Sequence, residues 1–237
     1  YQFLDEAIQW TLKGRLDAIV TGPLNKEALK KAGHDFPGHT DILAKATGQK
    51  KAWMMLDCKE MRAVMVTLHI SLRQMLEQIS KPMILETIEV THQVMVQMGF
   101  KNPRIGVAGL NPHAGENGLF GDEEIQHIQP AIEDALAKGI QVFGPFSPDT
   151  IFLRHRSGEF DVVVSMYHDQ ALVPLKLMGF GRSVNITLGL PLIRTSVDHG
   201  TAFDRAKDFD SDPSSTESAI ESALRLCGQS IITADSN

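Results

Sequence analysis

The feature that most constrains this chain is a repeated alternation of short β-branched runs with stretches of helical period. Asp17-Ala-Ile-Val-Thr21 reads as a buried strand that stops at a Gly-Pro turn. Asn25 to Ala32 reads as a helix with Asn25 at its N-cap, and Thr40 to Ala46 as another with Thr40 at the cap and Gly48 as the stop. Residues 52–56 and 62–67 have strand character, residues 71–79 and 83–98 helical character, and Gly99 closes the second helix. Residues 104–108, 161–165 and 183–187 complete the expected strands. Residues 122–138 and 214–227 complete the expected helices. Strand, loop and helix in repetition predict an α/β fold with a mostly parallel sheet and helices on both faces. Ligands of such sheets gather in the loops beyond the carboxyl ends of the strands. The residues just after each strand are therefore the first candidates for function.

Composition narrows the classes. The chain has 237 residues, 43% hydrophobic and 22% charged, which suits one large globular domain or two small ones. A net charge of −6 argues against a broad footprint for nucleic acid or anionic membrane. No apolar run approaches the roughly 20 residues that cross a bilayer, and no basic-then-apolar leader opens the chain. Two cysteines, Cys58 and Cys227, exclude a disulfide framework and predict a cytoplasmic setting. The chain opens at Tyr1 directly into an amphipathic pattern (Phe3, Leu4, Ala7, Ile8, Trp10, Leu12), as expected of a processed chain or of one lacking its front end. There is no internal repeat or linker-like stretch. Residues 207–215, rich in Asp and Ser, read as an exposed loop.

Of nine histidines, His69, His113 and His168 stand just beyond a predicted strand. Three neutral imidazoles converging there would suit a borderline divalent ion such as Zn²⁺ with positions left for substrate. Their spacings match no short zinc signature, so a second reading, loop histidines bonded to backbone, stays open. His34, His92, His127 and His155 fall on predicted helices or exposed turns and read as solvated. His39 lies beside Thr40 at a predicted helix start, where free N–H groups and positive potential would hold an anion. Simple capping by Thr40 is the alternative. Lys176 and Arg194 are embedded among Leu, Met, Ile and Pro and are expected to be partly buried. A buried cation needs an anion, which could be an internal carboxylate or a ligand's phosphate or carboxylate. Asn185, inside the strand-like Val184-Asn-Ile-Thr187, has the same two readings.

Six segments in order together resemble the 4-hydroxythreonine-4-phosphate dehydrogenase family of pyridoxal phosphate biosynthesis. They are Val20-Thr-Gly-Pro-Leu-Asn-Lys26, Pro37-Gly-His-Thr40, Gly109-Leu-Asn-Pro-His-Ala-Gly-Glu116, Tyr167-His-Asp-Gln170, Val184-Asn-Ile-Thr-Leu-Gly-Leu-Pro191 and Arg194-Thr-Ser-Val-Asp-His-Gly-Thr-Ala202. The resemblance implies an isocitrate/isopropylmalate dehydrogenase-like fold and a homodimer with active sites at the subunit interface. It implies that His69, His113 and His168 bind a divalent metal (Zn, Mg or Co), one of them, His168, reaching in from the partner subunit. It implies His39, Thr40, Lys176, Asn185 and Arg194 as substrate contacts. Lys176 would also serve catalysis, and Asp169 would orient His168 or act as a base. Asp198 to Asp204 resembles the nucleotide-binding loop of isopropylmalate-type dehydrogenases, which implies His199 and Gly200 as contacts of NAD or NADP.

The implied activity is oxidation of 4-phosphooxy-L-threonine at C3 to a β-keto acid that decarboxylates to 3-amino-2-oxopropyl phosphate. A sister activity on D-threonate or D-erythronate 4-phosphate, a three-histidine metal hydrolase, and an inactive fragment that binds only phosphate or a partner are the competing readings. The family's opening strand and Gly-rich segment have no match here, so residues 1–237 are expected to form a single truncated α/β dehydrogenase unit. The family's two subdomains share this region without a boundary marked in the sequence. After Ala202 the family continues Ile-Ala-Gly, whereas this chain has Asp204-Arg-Ala-Lys-Asp208.

Overall fold

The computed structural model of the chain describes residues 1–58, 60–179, 182–207, 210 and 212–228. In chain order the elements are α1 (Gln2–Leu12), β1 (Ala18–Thr21), α2 (Lys26–Lys31), α3 (His39–Ala46), β2 (Trp53–Cys58), β3 (Met61–Met65), α4 (Leu72–Gln78), α5 (Lys81–Gln97) and β4 (Ile105–Ala108). They continue with α6 (Gln129–Ala137), β5 (Val142–Phe146), α7 (Ile151–Arg156), β6 (Val162–Ser165), α8 (His168–Gly179), β7 (Val184–Leu188), β8 (Ile193–Val197) and α9 (Ser214–Leu226). The chain forms two compact units, one from residues 1–54 and 181–237, the other from residues 55–180.

In the unit of residues 55–180, β3 runs parallel to β6, β6 parallel to β4, and β4 parallel to β5. The β2–β3 hairpin is antiparallel. Every residue of β4 and β6 is buried. Strands covered on both faces must be apolar throughout, which is why Val162-Val-Val is legible as a strand. Gly106 in β4 lets the Phe160 ring close down, since a Cβ there would sit 2.8 Å from that ring. Helix α5 packs on α6 and on β3 and β6, while α7 and α8 pack on β3 and β6.

In the other unit, β8 runs parallel to β1 and antiparallel to β7, and α9 packs against all three strands. The amphipathic pattern of α1 is real: Ile8 is fully buried against Ile19, Leu29, Ile42, Leu43 and Leu192. Parallel pairings predominate in the fold as a whole. No helix among the described residues is long and apolar enough to cross a membrane.

Several elements were not anticipated. Strand β5 contains Gly144 and Pro145, which argue against a strand, but it lies at the sheet edge where a missing donor is tolerated. Strand β8 carries Arg194, Thr195 and Ser196, so its pattern is not apolar. Helix α8 holds Pro174 within it. The helix expected over 122–138 opens instead with a π-helical turn, Glu124–Ile128, before α6. Of the loop expected over 207–215, residues 208, 209 and 211 lie outside the described residues, and α9 already begins at Ser214.

The reading of His155 as solvated is wrong. It is 6% exposed and uses both ring nitrogens: Nδ1–H donates to the Phe160 carbonyl and Nε2 accepts from the Arg62 N–H, each at 2.8 Å. His34, His92 and His127 are half-buried rather than solvated, His34 stacking on Tyr1 with ring centroids 3.8 Å apart. Only neutral His155 can donate from one nitrogen and accept at the other. Burial is the main cause that lowers its pKa below 6.5. The unfolded chain therefore takes up a proton near pH 6.5 that the folded chain refuses. The stabilisation is complete above pH 6.5 and is lost as pH falls from 6.5 toward the lowered native value. Urea unfolding at pH 7 and pH 5.5 should show His155→Asn about 1–3 kcal/mol less stable at pH 7, with a smaller loss on acidification than the wild type.

Candidate functional site

The parallel register of β3 and β6 sets the first cluster. Pairing continues past the strand ends: Val66 N–H donates to the Ser165 carbonyl at 2.9 Å, and Thr67 donates to the Met166 carbonyl from N at 3.2 Å and from Oγ1 at 2.8 Å. Two loops therefore leave side by side and bring the His69 and His168 rings to a centroid distance of 5.5 Å, tilted by 49°. His168 Nδ1 lies 2.6 Å from Asp169 Oδ1. A carboxylate at this distance can hold an imidazole's orientation. These side chains line a cavity of about 200 Å³ with Met75 and Tyr167.

His113 is held by a different device. Residues His113 to Asn117 all have positive φ, from 45° to 77°, forming a left-handed turn after Pro112. A run of this kind is rare because the Cβ crowds the following carbonyl. The buried Glu124 carboxylate braces it. Oε1 accepts from Leu110 N at 2.6 Å and Asn111 N at 2.8 Å, and Oε2 accepts from Asn111 Nδ2 at 2.9 Å. A Cβ on Gly115 would stand 2.7 Å from Glu124 Oε2, and one on Gly109 would stand 2.9 Å from Ala114 Cα, so both positions need glycine. Buried Gln170 joins this loop to the histidine loop after β6, accepting from Met166 N and donating to the Gly109 carbonyl, both at 2.7 Å. Glu124, Asn111 and Gln170 were not singled out from the sequence. Gln170 and Asn111 lie inside quoted segments, whereas Glu124 had no signal beyond its place in a helical stretch.

Two adjacent imidazoles, one oriented by a carboxylate, fit part of the donor set of a borderline divalent ion. His168, expected from the resemblance to reach in from a partner subunit, lies instead beside His69 of its own chain, and His113 forms no three-residue group with that pair. Among the described residues no group of three or more His, Cys, Asp or Glu side chains could hold a metal ion.

The second cluster belongs to the other unit. Arg194 on β8 is 2% exposed. Its guanidinium donates to Thr21 Oγ1 from Nε at 3.1 Å and from Nη2 at 2.6 Å, and to Thr187 Oγ1 at 3.0 Å. Thr187 is its cross-strand partner on β7. No carboxylate partner of Arg194 is present among the described residues. Burial lowers its pKa to about 10, which leaves it charged at neutral pH. Of the two readings of this cation, the internal salt bridge is thus not the one adopted.

Helix α3 starts one residue earlier than expected. Gly38, not Thr40, is its N-cap, with no side-chain cap hydrogen bond, so the capping role assigned to Thr40 is overturned. His39 and Thr40 form the helix's first turn. The His39 pKa is lowered to about 4, chiefly by burial and then by the Arg194 charge. Asn185 on β7 donates Nδ2 to Met54 Sδ at 3.2 Å, and its buried Oδ1 has no hydrogen-bond partner among the described residues. Lys176, expected to be partly buried, is exposed on α8, because its apolar neighbours Leu172 and Leu175 take the buried face. His199 is exposed, its Nδ1 lying 2.9 Å from the Gly200 carbonyl, and a Cβ on Gly200 would meet open space.

The whole chain can be compared with known proteins. The profile described as "Pyridoxal phosphate biosynthetic protein PdxA" matches residues 1–223. The chain is 48% identical over 226 residues to the D-threonate 4-phosphate dehydrogenase of Pectobacterium atrosepticum, covering 95% of this chain and 69% of that protein. It is 50% identical over 226 residues to the 4-hydroxythreonine-4-phosphate dehydrogenase of Beijerinckia indica, covering 95% and 67% respectively. A solved structure of 4-hydroxythreonine-4-phosphate dehydrogenase from Klebsiella pneumoniae superposes with a TM-score of 0.88 at 49% identity, over 94% of this chain and 68% of that one.

The His39 environment yields a direct check. In ligand-free protein, NMR titration should place its pKa near 4. Added inorganic phosphate should raise it, since a bound dianion reverses the sign of the local field. Arg194→Met should also raise it, though incompletely, because burial remains. A value near 6.5 in the free protein would refute this electrostatic picture.

Proposed function

The chain belongs to the pyridoxal phosphate biosynthetic protein PdxA family, and from that premise we propose that it is a nicotinamide- and divalent-metal-dependent dehydrogenase of a four-carbon hydroxy acid phosphorylated at O4. The substrate we assign is 4-phosphooxy-L-threonine, oxidised at C3 to a β-keto acid that loses CO₂ to give 3-amino-2-oxopropyl phosphate. The observation that carries this reading is the buried Arg194 guanidinium, held by hydroxyls with no carboxylate partner among the described residues. Such a group calls for an anionic ligand.

In this reading the residues divide the work. Arg194, His39, Thr40 and Asn185 grip the substrate's anionic and polar groups, the first turn of α3 adding N–H donors. Asn185 Oδ1 supplies an acceptor for a ligand N–H or O–H. His69, His113 and His168 hold the ion, with a homodimer completing the set, and Asp169 keeps the His168 ring in its coordinating pose. Lys176, exposed on α8, steadies negative charge as CO₂ leaves. His199 and the Gly200 backbone meet NAD or NADP. When bound, the ion lowers a hydroxyl's pKa and the nicotinamide takes the hydride. Two free cysteines fit a cytoplasmic location.

D-threonate 4-phosphate is the second reading, favoured by the name of the Pectobacterium relative. The two substrates differ at C2, amine against hydroxyl. Parallel assays of nicotinamide reduction on the purified chain should show higher kcat/KM with 4-phosphooxy-L-threonine. The reverse order moves the assignment to D-threonate 4-phosphate, and no turnover with either sinks the dehydrogenase reading for this chain. Arg194→Lys should lower kcat/KM by roughly 10–100-fold, since a point charge cannot reproduce the planar fork.

A further inference from the structure

Glu124 has no role in the proposed chemistry, yet its carboxylate is 3% exposed and accepts three hydrogen bonds from two consecutive residues, Leu110 and Asn111. Asn111 Nδ2 also donates to Glu123 Oε2 at 2.6 Å, so the loop after β4 is tied to the π-helical turn by two acidic side chains. His113 follows Asn111 by two residues and opens the left-handed run. That run packs directly on the same carboxylate through Gly115. An amide in place of the carboxylate could satisfy the two backbone donors, but it would set an N–H group against Asn111 Nδ2.

We propose that Glu124 is a positioning residue for the metal site: its buried carboxylate sets the left-handed turn after β4 and thereby aims the His113 imidazole. The inference rests on the reading of His113 as a metal ligand. Glu124 touches neither ion nor substrate in this account. It acts by choosing, among the conformations open to a loop rich in glycine, the one in which His113 has φ 52° and ψ 31°. Gln170 ties the base of the same loop, at the Gly109 carbonyl, to the start of α8.

The test is titration of Zn²⁺ into the purified protein against a competing chromophoric chelator, for wild type, Glu124→Gln, Asn111→Ala and His113→Ala. Amide exchange at Leu110 and Asn111, circular dichroism and thermal melting run alongside. A folded E124Q should bind Zn²⁺ on the order of 10–100-fold more weakly, with faster exchange at both amides. N111A, which removes one hydrogen bond from each carboxylate, should move both readouts in the same direction by less. If H113A weakens Zn²⁺ binding while E124Q and N111A match the wild type, Glu124 is merely structural and the inference falls alone. If E124Q does not fold, N111A decides the matter on the same terms. Wild-type affinity in H113A removes His113 from the ligand set, and the inference goes with it.

Discussion

The parallel register of β3, β6 and β4 is the constraint on which the candidate metal site depends. Ala63 stands opposite Val163, and Ile105 opposite Val162, so the strands finish together and their loops emerge at one end. A strand buried on both faces has no room for chemistry along its length. Polar function is displaced to the first residues beyond, where the ladder's last hydrogen bonds still dictate position. Thr67 and Gln170 extend that control: Thr67 bonds Met166 at the exit of neighbouring β6, and Gln170 ties that same exit, which leads into its own helix, to Gly109 at the exit of β4. The spacing of His69 and His168 is thus inherited from the sheet.

His113 cannot inherit its position that way, because its loop departs from regular geometry at once. Four non-glycine residues, His113, Ala114, Glu116 and Asn117, have positive φ there. At about 1–2 kcal/mol each, such a run costs on the order of 4–8 kcal/mol. The three hydrogen bonds to the Glu124 carboxylate, at about 1.5–3 kcal/mol each for a charged acceptor, are of the same order. Backbone strain that persists needs surroundings that over-determine it. Here those are a buried carboxylate, a cross-loop glutamine and glycines at positions 109 and 115 with no space for a side chain.

What was legible in the sequence follows from the same physics. Buried parallel strands announce themselves by unbroken β-branched runs, as Val162-Val-Val does, and the helix expected over residues 71–79 is present as α4, its start fixed by a capping box of Ser71 and Gln74 that had not been read from the sequence. Strand β8 was not legible because its central positions, Arg194, Thr195 and Ser196, break the apolar run by which a buried strand is read. Embedding among apolar residues flagged Arg194 and Lys176 alike, yet only Arg194 is buried. Strand β8 is paired along both edges and packed against α9, while in α8 the 3.6-residue period turns Lys176 outward beside Leu177. His155 escaped notice because its two partners, Arg62 N and Phe160 O, are backbone atoms that no local pattern encodes. The left-handed turn was invisible for a related reason: its geometry is imposed by Glu124, remote from the histidine it serves.

The Arg194 cluster shows the same logic with opposite sign. A carboxylate beside that guanidinium would stabilise the ligand-free protein but would compete with any anion for the charge. Hydroxyls from Thr21 and Thr187 hold the fork in place without neutralising it. The neighbouring His39 is kept neutral by burial and by that same cation, so it adds no second positive charge to an already costly site. Asn185 Oδ1 has no hydrogen-bond partner among the described residues. Each of these choices lowers stability relative to a fully paired interior. In the proposed reading they prepare the site for a ligand that brings negative charge and hydrogen-bond donors together, and such a ligand would recover that cost.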